Sequence, residues 1–195
     1  MKHYLYRVHY YRCEKLLWRL ISVPWRMKLD RFAYVILSSF DTSGTLDFTF
    51  RYRKRDFEPM PNTQRWGEED MTKVTLSSLR MVKNEKMDLF YDIRWDHWLV
   101  VTFLGTDEER SDGVPIVLDG AGRGILENWG PVRFTRLITT EKEPYSTYRP
   151  FGRGEFDLWD FNDYSIEEDN ERMAYRTEMM EHFYRRIRNC EPLED

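Results

Sequence analysis

The pattern of apolar and polar positions divides this chain into short strands and a few helices. Residues 4–12, YLYRVHYYR, mix tyrosines and apolar residues with basic ones, which favours a half-buried strand. In LLWRLISVP, Leu17, Arg19, Ile21 and Val23 fall on one side and Trp18, Leu20 and Ser22 on the other. Pro24 ends that ladder because it has no N–H to donate. The pattern predicts two antiparallel strands joined by a turn near CEK. In LDRFAYVILSSF, Leu29, Phe32, Ile36 and Phe40 recur at intervals of three and four, predicting a helix buried on one side and followed by Gly44. TLDFTFRYR alternates Leu46, Phe48, Phe50 and Tyr52 with Asp47, Thr49, Arg51 and Arg53, a strand with one wet face.

Residues 54–72 hold two prolines and a glycine among charges and read as a surface excursion. VTLSSLRMV reads as a short helix or turn. MDLFYDIR and HWLVVTFLG read as a hairpin turning near Arg94 to Asp96. PIVLD fits a short strand, and VRFTRLITT fits a brief helix or a strand equally. From residue 164 to 190 the pattern is that of a long amphipathic helix. Ser165 and Glu168 stand at capping-box spacing, and Ile166, Met173, Met180 and Ile187 recur every seven residues. Acids crowd its first turns and Arg185, Arg186 and Arg188 its last, matching the helix dipole. Docking on its own domain is the default for such a methionine stripe, and docking on a partner is the alternative.

Composition supports a real core. The chain has 195 residues, 16% of them aromatic, so one domain spanning 1–195 can form without a metal or disulfide staple. Cys13 and Cys190 are too few for a disulfide framework or a thiolate zinc site and read as reduced thiols. No stretch approaches the roughly 18 apolar residues of a membrane span, and the first residues lack the apolar run of a signal peptide. A soluble, cytoplasmic protein with no membrane partner is the expectation. The net charge of −4 conceals a division: residues 1–55 carry 12 lysines and arginines against 4 acids, and the remainder 18 against 30. One reading makes Arg7, Arg12, Arg19, Arg51, Arg53, Lys54 and Arg55 a nucleic-acid face. The other folds acidic segments back onto the basic strands, leaving a solvated surface.

The candidate chemistry centres on YDIRWDHW. Asp92, Asp96 and His97, with Asp119 and Glu127 from a later loop, are the residue types that could activate water; the four carboxylates supply hard oxygens suited to magnesium or manganese. Against this, aspartates at a hairpin bend bond local backbone N–H groups, and no spacing here matches a defined metal motif. His3, His9 and His182 read as structural. There is no Walker loop, dinucleotide fingerprint or nucleophile elbow. GAGRG at 120–124 is the nearest approach to a phosphate cradle, and without a helix directly after it a tight loop is the simpler account. No cofactor is expected.

The succession of these segments carries a resemblance. YRV at 6–8, LWRLISVP at 17–24, LDRFAYVILSSF at 29–40 and LDFTF at 46–50 resemble the opening of the plasmid pRiA4b ORF-3-like family. TLSSL at 75–79, YDIRWDHW, LDGAGRGILENWGP and FNDYSIEEDNERM are similar to its later motifs, in the same order. The resemblance implies an α+β single domain: a curved mixed or antiparallel sheet, β-grasp-like, packed by helices and ending in a long C-terminal helix. It brings the label of a TnpR-type passenger protein of transposable elements but no established reaction. His9 stands where a serine recombinase would need its nucleophile, so recombination is rejected. The chain also departs from the family pattern. Leu46 and Asp47 replace its first histidine region, Arg94 and Trp95 stand at its glycine and aspartate, and His97 aligns with its tryptophan. Its loop cysteine and prolines are gone, leaving Glu127, Asn128 and Gly130. The expected function is a non-enzymatic binding or interaction module, its partner nucleic acid or another protein. The alternative is a metal-dependent phosphodiester hydrolase on Asp92, Asp96, Asp119 and Glu127.

Overall fold

The computed structural model describes residues 2–59, 68–92, 94, 96–110, 112–127, 129–141, 145–148 and 156–189. Along the chain the elements are β1 (His3–Tyr10), β2 (Trp18–Pro24), α1 (Leu29–Ser39), β3 (Phe48–Tyr52), β4 (Arg55–Glu58), β5 (Glu68–Asp70), β6 (Lys86–Tyr91), β7 (His97–Asp107), β8 (Ile116–Ala121), α2 (Pro131–Arg136), β9 (Tyr145–Tyr148), β10 (Phe156–Trp159) and α3 (Ile166–Arg188). Short 3-10 turns occupy Met71–Lys73 and Leu76–Leu79. β1 to β8 form one open mixed sheet in the order β5-β4-β3-β6-β7-β1-β2-β8, and β9 pairs separately with β10. Every neighbouring pair in the large sheet is antiparallel except β4 with β5. The architecture is the expected α+β domain.

Alternation sets the core. Tyr6, Val8 and Tyr10 of β1, Ile21 and Val23 of β2, Phe48 and Phe50 of β3, Leu89 and Tyr91 of β6, and Leu99 and Val101 of β7 all point to one buried face. Helix α1 lies in that core. The sequence predicts a helix buried on one side, but every α1 residue except Arg31 is buried. The reason is a third layer. Helix α3 crosses the outer side of α1, where Tyr184 stacks on Tyr34 with centroids 5.5 Å apart and Ser38 Oγ donates to Met180 Sδ at 3.8 Å. The α3 face that docks is Asp169, Met173, Thr177, Met180 and Tyr184. Met173 and Met180 belong to the expected stripe, whereas its Ile166 and Ile187 are only partly buried and Asp169, Thr177 and Tyr184 lie outside it. At its start Ser165 Oγ accepts from the Glu168 N–H at 3.2 Å, capping the helix as the spacing predicts.

Asp169 is buried because of Arg19. That guanidinium lies wholly inside, between the rings of Phe40 and Tyr164, with Asp169 against its Nε. Its N–H groups donate to the carbonyls of Ser39, Trp18, Ala121 and Arg123 at 2.9–3.1 Å. One side chain thus ties β2, α1, the segment after β8 and α3 together. Gly120, opposite Arg19 in the register, leaves the room: a Cβ there would stand 2.9 Å from Arg19 Cδ and 2.8 Å from the Trp18 carbonyl. Arg172 extends the network, 2.8 Å from Asp169 and 3.4 Å from the buried Asp41, and Arg176 reaches Asp41 at 3.0 Å.

The other departures concern the edges. The expected excursion at 54–72 contains two strands, β4 and the edge strand β5, with residues 60–67 outside the described set. β3 and β4 join through Arg53 and Lys54, both at positive φ, as a two-residue type I′ hairpin requires. VRFTRLITT resolves as α2 continued by a π turn, Leu137–Glu141. Asn170 clamps the edge strand β8, accepting from the Val117 N–H at 2.8 Å and donating to its carbonyl at 3.0 Å. Cys13 is a buried free thiol whose pKa burial raises, and Cys190 lies outside the described residues. Among the described residues no helix is long and apolar enough to cross a membrane.

Arg19→Met leaves four carbonyls without this donor and the buried Asp169 with Arg172 as its remaining cation. Urea denaturation at neutral pH is expected to show a loss of about 3–5 kcal/mol. Burial raises the Asp169 carboxyl from 3.8 to about 6, so its contribution to stability is complete below 3.8 and lost as pH rises through 6. Arg19 lowers that carboxyl, so its removal raises the folded Asp169 further, and the penalty of Arg19→Met shrinks as pH falls toward 6 and is constant below it.

Candidate functional site

The face of the sheet opposite α1 carries no helix from the set that forms the core, and its residues can be read from the register. One row runs Asp56, Arg51, Asp88, Val100, His9, Trp18 across β4, β3, β6, β7, β1 and β2. Beside it run Thr49, Phe90 and Trp98, extended by Tyr11, whose N–H donates to the Trp98 carbonyl at 2.8 Å. On the other side run Lys86, Thr102, Arg7, Leu20 and Asp119. Strand alternation explains why these residues share a face, and their chemistry is unusual for a plain solvated surface. Tyr11 stacks on Trp98 at 3.7 Å and 14°, Trp98 meets Phe90 at 5.6 Å, Arg7 covers the Trp18 ring at 3.9 Å, and Arg51 lies 5.3 Å from the Phe90 ring. The Trp98 indole N–H donates to Asp88 at 2.9 Å, which fixes the ring's orientation.

The basic residues singled out from sequence have different fates. Arg7 and Arg51 lie on this open face, Arg51 bidentate with Asp56 at 2.7 and 2.9 Å. Arg12, at positive φ just past β1, packs over Tyr11 at 5.1 Å. Arg53 is held by Glu85 at 2.7 Å, Arg55 is paired with Glu69, and Lys54 is exposed at the hairpin tip. Arg19 departs from the set: it points into the core, and a residue with no accessible surface meets no phosphate. Trp18, Phe90, Trp98 and Tyr11 were not among the sequence candidates for the site. The signal that reveals them is strand alternation, which sets Tyr11 on the side of Arg7 in β1, Phe90 on the side of Lys86 in β6, and Trp18 on the side opposite Arg19 in β2.

The carboxylates of the alternative centre have different surroundings. Asp92 is buried at positive φ and accepts from the Arg94 N–H and Nε, both at 3.1 Å, while Asp96 is exposed on the other side of the same turn. Asp119 lies across the sheet on β8, beside Leu20, and accepts from the Gly120 N–H at 2.8 Å. Glu127 is a loop clamp. It accepts from the Ser43 N–H at 2.7 Å, from the Ser43 hydroxyl at 2.9 Å and from the Tyr91 hydroxyl. Trp95 and Asn128 lie outside the described residues. Among the described residues no three of His, Cys, Asp and Glu are grouped to hold a metal ion.

His97 is buried, with Nδ1 3.0 Å from the Tyr10 hydroxyl and Nε2 unpartnered. Desolvation lowers its pKa from 6.5 to about 4, against a smaller opposing effect of Asp92. His3 is buried too, its Nδ1 3.2 Å from Ser22 Oγ, and the Ser22 hydroxyl donates to Asp107 at 2.6 Å. Its Nε2 accepts from the Gly113 N–H at 3.2 Å, so the ring ties the start of β1 to the loop before β8. In GAGRG, Gly122 sits at φ +75°, where a Cβ would come within 2.7 Å of the Leu16 carbonyl and the Phe161 ring. Arg123 of that loop is 3.0 Å from Asp163. The loop is a packed turn.

A family model described as plasmid pRiA4b ORF-3-like protein matches residues 2–167. No curated protein matches the chain. Among solved structures, the crystal structure of MM3350, a protein of unknown function from Methanosarcina mazei Go1, is similar at a TM-score of 0.60. The two are 19% identical over 72% of this chain and 84% of that one, a likeness of fold.

Two outcomes test these assignments. NMR titration of His97 is expected to show a neutral ring through 6.5, protonating only near 4. Because its folded pKa is depressed, its stabilisation is present above 6.5 and lost as pH falls toward 4; His97→Gln, which does not titrate, removes that slope. Glu127→Ala unclamps residues 43–45 and is expected to lower stability by about 1–3 kcal/mol in thermal or urea unfolding.

Proposed function

We propose that this chain, which belongs to the plasmid pRiA4b ORF-3-like protein family, is a non-enzymatic binding module whose open sheet face holds single-stranded nucleic acid. The observation that carries the reading is the interleaving of rings and guanidinium groups on that face: Arg7 on Trp18, Arg51 on Phe90, and the stacked pair Tyr11 and Trp98. Single-stranded nucleic acids offer every nucleotide as a π-face and a phosphate, and a platform of rings with nearby cations meets both. A duplex keeps its bases stacked inside and presents no such faces.

The acids on the same face do not prevent this. On that face Asp56 pairs with Arg51, Asp88 accepts from the Trp98 indole and Asp119 from the Gly120 N–H, while off it Glu85 and Glu69 pair with Arg53 and Arg55; the three arginine side chains are about half exposed. Exposed ion pairs are worth only about 0–1 kcal/mol, so an incoming phosphate can displace the carboxylate at small cost. The net charge of −4 means that the attraction is local to the basic strands rather than a property of the whole molecule. The hydrolase reading lacks a comparable support, because Asp92, Asp119 and Glu127 are each engaged by their own neighbours.

Fluorescence anisotropy with short labelled single strands tests the proposal. Affinity is expected to fall with salt at a log–log slope of about −0.7 per phosphate neutralised. Arg7→Gln reduces that slope, and Trp18→Ala weakens binding by roughly 1–3 kcal/mol with the slope unchanged. A salt-independent affinity, or variants that bind as the parent does, would sink the idea.

A further inference from the structure

The ring row ends in a pocket of about 410 Å3 where β1, the β6–β7 turn and α2 meet. Tyr11 and Trp98 contribute aromatic surface, Pro131 and Val132 an apolar wall, and Arg12 and Asp96 the charge. Two observations set it apart from an ordinary crevice. Arg12 and Asp96 line one pocket with opposite charges, yet among the described residues neither forms an ion pair, and the Asp96 carboxylate accepts no hydrogen bond. Val132 is 86% exposed at its wall, apolar surface without a protein neighbour to cover it. A cation packed on a ring and an anion, without an ion pair, in a pocket otherwise lined by rings and apolar side chains fit a ligand that is itself anionic at one end, flat in the middle and rich in donors at the other.

Resting on the reading of the open face as a nucleic-acid platform, we propose that this pocket receives a guanine base, with Asp96 on its edge and Arg12 on its phosphate. The choice among bases follows from donor arrangement. An ionised carboxylate only accepts, through two adjacent oxygens. Guanine alone presents two neighbouring donors, N1–H and the N2 amino group, on its Watson–Crick edge. Adenine and cytosine place an acceptor beside their amino group, and uracil flanks its single N–H with two carbonyls; each sets an oxygen or ring nitrogen against the carboxylate. The volume lies within the range of small-ligand pockets, which suits one nucleotide and excludes a paired one. The positive φ of Arg12 turns the chain at the pocket mouth, where its guanidinium already lies over Tyr11.

The source of the guanine is either a free nucleotide or one base of a bound strand, and the test separates them. Intrinsic tryptophan fluorescence and calorimetry are followed on the whole chain with GMP, AMP, CMP and UMP, then with all-thymine strands with and without one guanine. GMP is expected to bind at least about tenfold more tightly than the other three, the discrimination of one bidentate contact. Asp96→Asn erases that preference while leaving affinity for the all-thymine strand unchanged, and Arg12→Gln weakens all four nucleotides alike. Asp96 is exposed at a turn and its isosteric change leaves the fold intact. Equal affinity for the four nucleotides, or a guanine preference that survives Asp96→Asn, overturns the pocket. Salt-dependent binding of the all-thymine strand with no gain from guanine removes the pocket and keeps the platform. GMP binding without any strand binding keeps the pocket for a free nucleotide and removes the platform. No binding in either arm removes both.

Discussion

Arg19 is the side chain on which the three layers depend. A guanidinium with no accessible surface is tolerable only if its donors and its charge are all met, and here four carbonyls and one carboxylate meet them. Those partners come from β2, α1, the segment after β8 and α3, so the requirement fixes how these elements stand relative to one another. Apolar burial between α1 and α3 supplies attraction without direction. The arginine supplies the direction, since a shift of α3 by one turn would strand both Arg19 and Asp169.

The consequences reach the opposite face of the sheet. With α1 and α3 committed to one side, the rings of Trp18, Phe90, Trp98 and Tyr11 have no helix of that core to cover them and remain half exposed. They are organised against each other and against arginines instead. Stacking and cation–π contacts hold the rings in place and leave them partly exposed. The structural burden of the carboxylates fits the same division. Glu127 and Asp92 hold loops at the ends of strands, and Asp88 orients Trp98. Among the described residues Asp96 takes no part in that work.

Much of the fold was legible because long or strictly alternating segments leave few alternatives. The helix at 166–188 announced itself by its cap, its stripe and its charge gradient, and β3 by four alternations in a row. The strand β4, the edge strand β5 and the pair β9 and β10 were not legible. β4 and β5 are rich in charge and owe their strand state to a neighbour, and β9 and β10 are four residues each, too short for a pattern. The same holds for the site. Arg19 looked like one cation among several, although its position between Leu17 and Ile21 on the apolar side already marked it as different.

By itself the sequence determined which residues alternate, where helices begin, and that cations and rings share the polar side of the first strands; local sterics and periodicity carry that information. Tertiary structure alone decided that α1 is buried except at Arg31, that Arg12 and Asp96 line one pocket, and which partners meet the Arg19 guanidinium. These are matters of which distant segments meet. Meeting is governed by the satisfaction of buried charge and the packing of three layers, neither of which any short window of the chain contains.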